Sequence, residues 1–213
     1  MKLKINEIYY SIQGESSFTG QPCIFIRLTY CNLRCTYCDS EYTFHEGEDM
    51  LIEDIIKKVK KFSCNLVEIT GGEPLFQKNC ITLLEKLTVL KYKVLLETSG
   101  SLSIKEVPKD VINIIDFKCP SSKMEKKNFW KNINYLTSND EVKFVIGDRK
   151  DYDWAKGKIE EYKISNICNI LMSPVYKEIE PKTITEWILK DGLNVRFQIQ
   201  LHKEIWKDKE RGV

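Results

Sequence analysis

Three cysteines, Cys31, Cys35 and Cys38, stand in the stretch CNLRCTYCDS with the spacing C-x3-C-x2-C, and no fourth follows at a matching interval. Structural zinc sites and ordinary iron–sulfur cubanes both take four protein ligands. Three thiolates on one loop therefore fit an incomplete zinc or redox-thiol group, or a four-iron cluster whose fourth iron keeps an open position. Further on comes TGGEP, Thr70 to Pro74. Gly71 and Gly72 have no Cβ, so backbone can approach a ligand closely there, while Glu73 offers a carboxylate and Pro74 restricts the turn. Taken alone, a Gly-Gly turn is only a tight connection between a strand and a helix. Ahead of the cysteines, the segment EIYYSIQGESSFTGQPCIFIRL (7–28) sets Gln13, Glu15 and Arg27 beside apolar strands. An amide that donates and accepts, a carboxylate and a planar guanidinium suit a flat, nitrogen-rich heterocycle bearing a carboxylate. Only five of the 33 basic residues are arginine, so Arg27 stands out from a lysine background. Without the cysteines, the same segment reads as a solvated surface strand.

Alternating strands and helices would have to position these groups. CIFIRL (23–28) reads as a buried strand, followed by an amphipathic helix over 51–62 and a strand over 66–70. A helix over 80–90 and strands over 92–100, 111–117, 141–146, 167–172 and 194–200 continue the pattern. Helical stretches fall at about 125–136, 149–163 and 182–191. Repeated strand–helix units imply a parallel sheet with helices packed outside it. A complete eight-stranded barrel takes about 250 residues, and this chain has 213. The expected fold is α/β, an incomplete TIM-like barrel of parallel strands with outer helices, forming a single domain over 1–213. Chemistry in such folds sits at the C-terminal ends of the strands. The cysteine loop, TGGEP, ETSG, DFKCPSS and SPVY all fall there.

The 33 basic and 31 acidic residues nearly balance, which argues against nucleic-acid or membrane-surface binding, since both call for a concentrated basic face. No apolar run is long enough to span a membrane, and MKLKINEIYY lacks a signal-peptide core, so a cytoplasmic protein is expected. Cys23, Cys64, Cys80, Cys119 and Cys168 are scattered and read as small buried apolar residues. His45, in HEGED, reads as a surface residue.

The three-cysteine loop, with Tyr37 before its last cysteine and TGGEP following, resembles the radical S-adenosylmethionine (radical SAM) superfamily. The resemblance implies a [4Fe-4S] cluster whose fourth ligand is S-adenosylmethionine, cleaved to a 5′-deoxyadenosyl radical. The run SIQGE, FIRL and CNLRCTYCD, continuing through TGGEP, ETSG and DFKCPSS to QLHKEIW, resembles the 7-carboxy-7-deazaguanine synthase family over almost the whole chain. Ser16 stands where a glycine often follows the glutamate of that motif. Membership implies conversion of 6-carboxy-5,6,7,8-tetrahydropterin to 7-carboxy-7-deazaguanine with loss of ammonia, on the route to queuosine and other 7-deazapurines. It also implies Mg2+, a flavodoxin-like reductant and a homodimer.

Carried over by resemblance, the metal ligands are Cys31, Cys35 and Cys38 for iron and Ser40 for magnesium. The cofactor contacts are Tyr37, Cys38, Asp39, Gly72 and Glu73, then Ser99, Lys118, Ser121, Ser122 and Ser173. The substrate contacts are Ile12, Gln13, Gly14, Glu15 and Arg27, with Thr70, His202 and Val213. Three other readings compete. A glycyl-radical-enzyme activase would leave Gln13, Glu15 and Arg27 without a task. A non-catalytic iron–sulfur carrier or zinc-stabilised module would have no use for TGGEP. A tRNA-modifying enzyme would need a more basic surface.

Overall fold

The structure, a computed structural model, describes residues 1–207 and 209–213. Nine strands form one sheet: β1 (Lys2–Ile12), β2 (Pro22–Leu28), β3 (Glu48–Leu51), β4 (Leu66–Gly71), β5 (Lys93–Thr98), β6 (Ile112–Asp116), β7 (Glu141–Ile146), β8 (Asn169–Pro174) and β9 (Arg196–Phe197). Their order across the sheet is β3-β1-β2-β4-β5-β6-β7-β8-β9. From β2 onward neighbours are parallel, whereas β1 runs antiparallel to both β2 and β3. This is the expected open barrel of parallel strands, with an antiparallel pair added at one edge. The helices α1 (Ile52–Val59), α2 (Cys80–Val89), α3 (Arg149–Glu161) and α4 (Pro181–Asp191) follow the crossover pattern, and a short α5 (Leu201–Ile205) follows β9.

Alternation along each strand divides the core. Outward residues such as Ile24, Ile26, Val67, Ile69, Val94 and Leu96 pack against α1 and α2. Val142, Phe144, Ile146, Ile170 and Met172 pack with Tyr152, Ala155 and Ile159 of α3 and Ile184 and Ile188 of α4. Inside the barrel, Cys23, Phe25, Leu66, Leu95, Ile114 and Leu171 form a small apolar floor near the strand starts. Moving two residues along each strand reverses the chemistry. Leu66 is followed by Glu68, Leu95 by Glu97 and Ile114 by Asp116, because period-2 geometry keeps them on the same inner face. Cys23, Cys80 and Cys119 are buried as expected, while Cys64 and Cys168 are only partly so.

Two expected elements differ. The helix over 125–136 is replaced by 3-10 turns at Glu125–Lys127 and Trp130–Tyr135. Asparagine side chains competing for backbone groups break it. Asn128 accepts from Lys118 N at 2.9 Å and donates to Lys118 O at 3.0 Å. Asn132 accepts from Ile104 N at 3.0 Å and donates to Leu102 O at 2.8 Å. The strand expected over 194–200 is reduced to Arg196–Phe197. Beyond it the chain is drawn inward: Ser16 N donates to Gln198 Oε1 at 2.7 Å, and Leu201 N donates to Gly14 O at 2.9 Å.

Candidate active site

The cysteine loop leaves the end of β2 and is held by its own backbone and by two neighbouring turns. Leu33 is buried at its centre, and Arg34 Nη1 donates to Cys31 O at 2.8 Å and Leu33 O at 2.6 Å while stacking on Phe44. Thr36 Oγ1 donates to Ser121 O at 2.6 Å, tying the loop to the end of β6. The three thiols are free and half-buried. Burial raises the Cys31 thiol and pushes Cys35 up to about 11, with Lys118 pulling Cys35 the other way. Loading iron therefore displaces protons. Among the described residues, no three His, Cys, Asp or Glu side chains converge to hold a single metal ion. The thiolates of a cubane bind different irons, so they need not converge on one point.

The glycines of TGGEP serve the cysteine loop directly. A Cβ on Gly71, whose φ is +136°, would lie 2.1 Å from Leu28 O. One on Gly72 would lie 2.2 Å from Tyr30 O and 2.8 Å from Cys31 Cβ. Gly72 N donates to Leu28 O at 3.2 Å and Glu73 N to Tyr30 O at 2.8 Å, so this turn carries the β2–β4 ladder onto the cluster loop. Glu73 is fully buried. Its carboxylate accepts from Thr98 Oγ1 at 2.9 Å, Leu75 N at 3.0 Å, and Ser99 N and Oγ at 2.8 and 2.5 Å. Glu73 and Ser99, both expected beside the cofactor, thus hold each other and fix the turn.

Inside the mouth lies a buried polar belt. Lys143 on β7 pairs with Glu15 at 2.6 Å, with Glu97 more closely still, and reaches Asp116 at 3.9 Å. Asp116 in turn pairs with Lys118 at 2.7 Å. Thr70 Oγ1 donates to Glu97 at 3.3 Å, and Thr70 is the register partner of Arg27. Arg27 Nε donates to Glu7 at 2.7 Å and Nη2 to Tyr9 Oη at 2.7 Å. Gly212 N also donates to Glu7, at 3.0 Å, which brings Val213 to the Arg27 end. The segment 13–20 crosses beneath this belt. Gln13 donates to Glu68, Glu15 accepts from Gln200 Nε2 at 2.7 Å, and Ser17 N donates to Glu141 at 3.2 Å. A Cβ on Gly14 would lie 2.1 Å from His202 Nδ1, so only glycine lets that imidazole close over the segment. Ser16 takes a φ of +65°, the conformation that makes glycine natural there, and its hydroxyl accepts from Phe18 N at 3.1 Å.

Charge within the belt follows its pairing. Burial opposes ionisation of Glu15, but the Lys143 ammonium beside it outweighs that and holds the carboxyl below its usual range. Burial also works against the charge on Lys143, which Glu15 and Glu97 reverse. Glu68 has no cation in contact; burial and the nearby Glu97 charge raise it well above the carboxylate range. Burial lowers His202, leaving a neutral imidazole at neutral pH despite the nearby Glu15. Glu68 keeps a proton in the folded chain that the unfolded chain has released, so stability falls as pH rises across that window. Glu68→Gln removes the titration while keeping the shape. The melting temperature of Glu68→Gln relative to the native chain should therefore rise from about pH 5 to about pH 8. A constant difference in paired thermal melts would contradict the protonated Glu68.

Comparison with known proteins shows the family. The Radical SAM superfamily profile matches residues 25–188. A 7-carboxy-7-deazaguanine synthase from Chlorobaculum tepidum is 44% identical over 214 residues, covering 99% of this chain and 97% of that protein. One from Koribacter versatilis is 43% identical over 226 residues, covering 99% and 100%. The chain belongs to the 7-carboxy-7-deazaguanine synthase family of radical SAM proteins. The crystal structure of QueE from Escherichia coli shares the fold, with a TM-score of 0.80 and 22% identity over 95% of each chain.

Radical SAM proteins carry a [4Fe-4S] cluster and S-adenosylmethionine, and the residues at this mouth fit both. Three half-buried thiols leave one cluster position open. Beside them, Tyr37 Oη and Asp116 Oδ1 are buried polar atoms without a hydrogen-bond partner in the protein, as expected of groups that meet a ligand. Lys118 pairs with Asp116 at 2.7 Å, Asp39 with Lys203 at 2.5 Å, and Gly72 packs against Tyr30 and Cys31. Three of the serines expected beside the cofactor are bonded or buried within the protein. Ser122 is fully buried, with its hydroxyl donating to Cys119 O at 2.6 Å. Ser121 donates its hydroxyl to Asp151, and Ser173 is buried on the inner face of β8. Ser40 differs: it sits at the N-cap of the Glu41–Phe44 turn but makes no side-chain cap bond, and its hydroxyl lies 3.9 Å from Cys38 Sγ. Gln13, expected as a substrate contact, is held within the protein. It is buried, its Nε2 engaged by Glu68 and its Oε1 accepting from Glu15 N at 3.1 Å.

Glu68, Glu97, Asp116 and Lys143 were not among the residues expected from sequence. Their signal was present: LVEIT, INIID and EVKFV each bury an ionisable residue within an apolar strand, and VLLET half-buries one. Burying an ion unpaired costs several kcal/mol, so such charges in consecutive strands imply one shared interior network.

Proposed function

We propose that the chain converts 6-carboxy-5,6,7,8-tetrahydropterin to 7-carboxy-7-deazaguanine with release of ammonia, in 7-deazapurine (queuosine) biosynthesis. The observation that carries this reading is the polarity of the belt. A guanidinium stands at one end, in Arg27, and ionised acceptors at the other, in Glu15 and Glu97, beside the three-thiol loop. A pterin bearing a carboxylate at one end and amino and ring N–H donors at the other matches that polarity. When bound, the cluster and S-adenosylmethionine supply abstraction and return of a hydrogen atom at the substrate.

The protein's own part is binding and orientation. Arg27 receives the carboxylate, positioned by Glu7 and Tyr9. Glu15 and Glu97 accept N–H donors, and neutral His202 with the 12–14 backbone closes the pocket from below. Thr70 and Val213 border the same space, and the Ser40 hydroxyl is the protein ligand for Mg2+, which takes few protein ligands and keeps water or substrate oxygens. The chain acts as one domain over 1–213, with the cluster loop at 31–40, the substrate segment at 7–28 and a C-terminal cap at about 194–213. A flavodoxin-like reductant, a homodimer and a cytoplasmic location complete the reading. No helix among the described residues is long and apolar enough to cross a membrane.

The test is an anaerobic incubation of reconstituted protein with S-adenosylmethionine, reductant, Mg2+ and 6-carboxytetrahydropterin, read by mass spectrometry. A 7-carboxy-7-deazaguanine peak that disappears without S-adenosylmethionine is expected. Formation of 5′-deoxyadenosine and methionine alone would refute the substrate and favour the activase reading.

A further inference from the structure

Lys143 sits at the centre of the mouth, with only 6% of its side chain exposed, and joins three separate parts of the site. Its ammonium pairs with Glu15 from the 13–20 segment and with Glu97 from β5, and approaches Asp116 from β6. Each carboxylate has a second, neutral partner: Gln200 Nε2 on Glu15 at 2.7 Å and Thr70 Oγ1 on Glu97 at 3.3 Å. A carboxylate has roughly four lone-pair sites, so both keep acceptor capacity for a ligand. Among the described residues, neither has another cation in contact. Arg27 is engaged by Glu7, and Lys118 by Asp116.

We propose that Lys143 is the positioning residue that fixes the acceptor end of the substrate site, holding Glu15 and Glu97 as oriented carboxylates for the N–H donors of an aminopyrimidine ring. The inference rests on the substrate class proposed above. Lys143 acts through these carboxylates and need not touch the substrate. The competing arrangement is a lysine that only fills a buried charge cluster, and the two differ in what its removal does. Loss of the ammonium leaves Glu15 and Glu97 facing each other's field. Asp116 adds negative charge, as does Asp39, which pairs with Lys203, while Glu68 holds a proton and His202 is neutral. Lys118 remains the other buried cation nearby, bound to Asp116. One carboxylate then takes up a proton and presents a donor where the ring needs an acceptor.

The experiment measures binding of 6-carboxypterin, an oxidised and unreactive probe, to the iron-loaded protein by quenching of its fluorescence across a pH series. In Lys143→Met, binding at neutral pH should weaken about tenfold or more, the effect of losing one charge-assisted hydrogen bond. The acidic limb of the binding profile should move to higher pH, while iron content stays as in the native chain. Lys143→Arg should recover most of the affinity and the native pH profile. Native affinity in Lys143→Met, or weakened binding with an unmoved acidic limb, would overturn the proposal. If Lys143→Met does not fold, Lys143→Gln, neutral but still able to donate hydrogen bonds to Glu15 and Glu97, replaces it under the same two readings. Failure of the native chain to bind 6-carboxypterin would refute the substrate class, and this inference with it. Native binding with an indifferent Lys143→Met would refute this inference alone.

Discussion

Gly72→Ala will purify with little iron, although Cys31, Cys35 and Cys38 are all retained. The added methyl would lie 2.2 Å from Tyr30 O and 2.8 Å from Cys31 Cβ. The nearest of these atoms is backbone, which cannot rotate away as the end of a side chain would. The turn is also fixed from behind by the buried Glu73 carboxylate and its bonds to Thr98 and Ser99. The cysteine loop must therefore move, carrying Cys31 away from the other two thiols. Overpacking of this kind costs about 1–3 kcal/mol, which a domain of this size survives, so the defect should appear in loading more than in folding. Iron should fall well below the roughly four per chain of a full cluster. S-adenosylmethionine cleavage should fall by roughly a hundredfold, the scale of an ångström-sized misplacement. Native iron content in Gly72→Ala would show that the glycine serves ligand approach alone and not the packing of the loop.

Arg27→Lys should raise KM for the carboxylated tetrahydropterin between about tenfold and about a hundredfold, the range for losing charge-assisted hydrogen bonds worth about 1.5–3 kcal/mol. Lysine keeps the charge and loses the fork. In the native chain Arg27 spans Glu7 and Tyr9 through Nε and Nη2, which leaves Nη1 and the remaining N–H for an incoming carboxylate. An ammonium at this position can satisfy Glu7 or the ligand, and lacks the planar geometry to serve both. Iron content and uncoupled S-adenosylmethionine cleavage should be unchanged, because Arg27 makes no contact with the cysteine loop in its hydrogen bonds. Steady-state kinetics with the pterin varied give the answer; an unchanged KM would remove Arg27 from the carboxylate end of the site.

Local patterns carried much of this molecule. The strand over 141–146 and the amphipathic helix near 80–90 appear where apolar content and hydrophobic periodicity place them, since burial follows from residue type and spacing alone. The three cysteines and TGGEP were legible for a similar reason: ligand type and glycine content are written in the residues themselves. The 125–136 segment was not, because its helical spacing lost to Asn128 and Asn132, whose partners near residues 100–118 are visible only once the chain is folded. Strand β9 ended early because its continuation is drawn to Gly14 and Ser16, far away along the chain.

The sequence by itself determined which groups are candidates for the chemistry: three thiols short of a full ligand set, an arginine just ahead of them, and a glutamate on a glycine-containing segment. Tertiary structure decided what each of those groups is bonded to. It braced Gln13 against Glu68 and made Glu73 the anchor of its turn. It also gathered Glu15, Glu97 and Asp116 around Lys143. The reason is that a hydrogen bond or ion pair depends on where two groups meet. The partners here lie 128 residues apart for Lys143 and Glu15, and 46 for Lys143 and Glu97. Only closure of the strands around a shared interior brings them within reach.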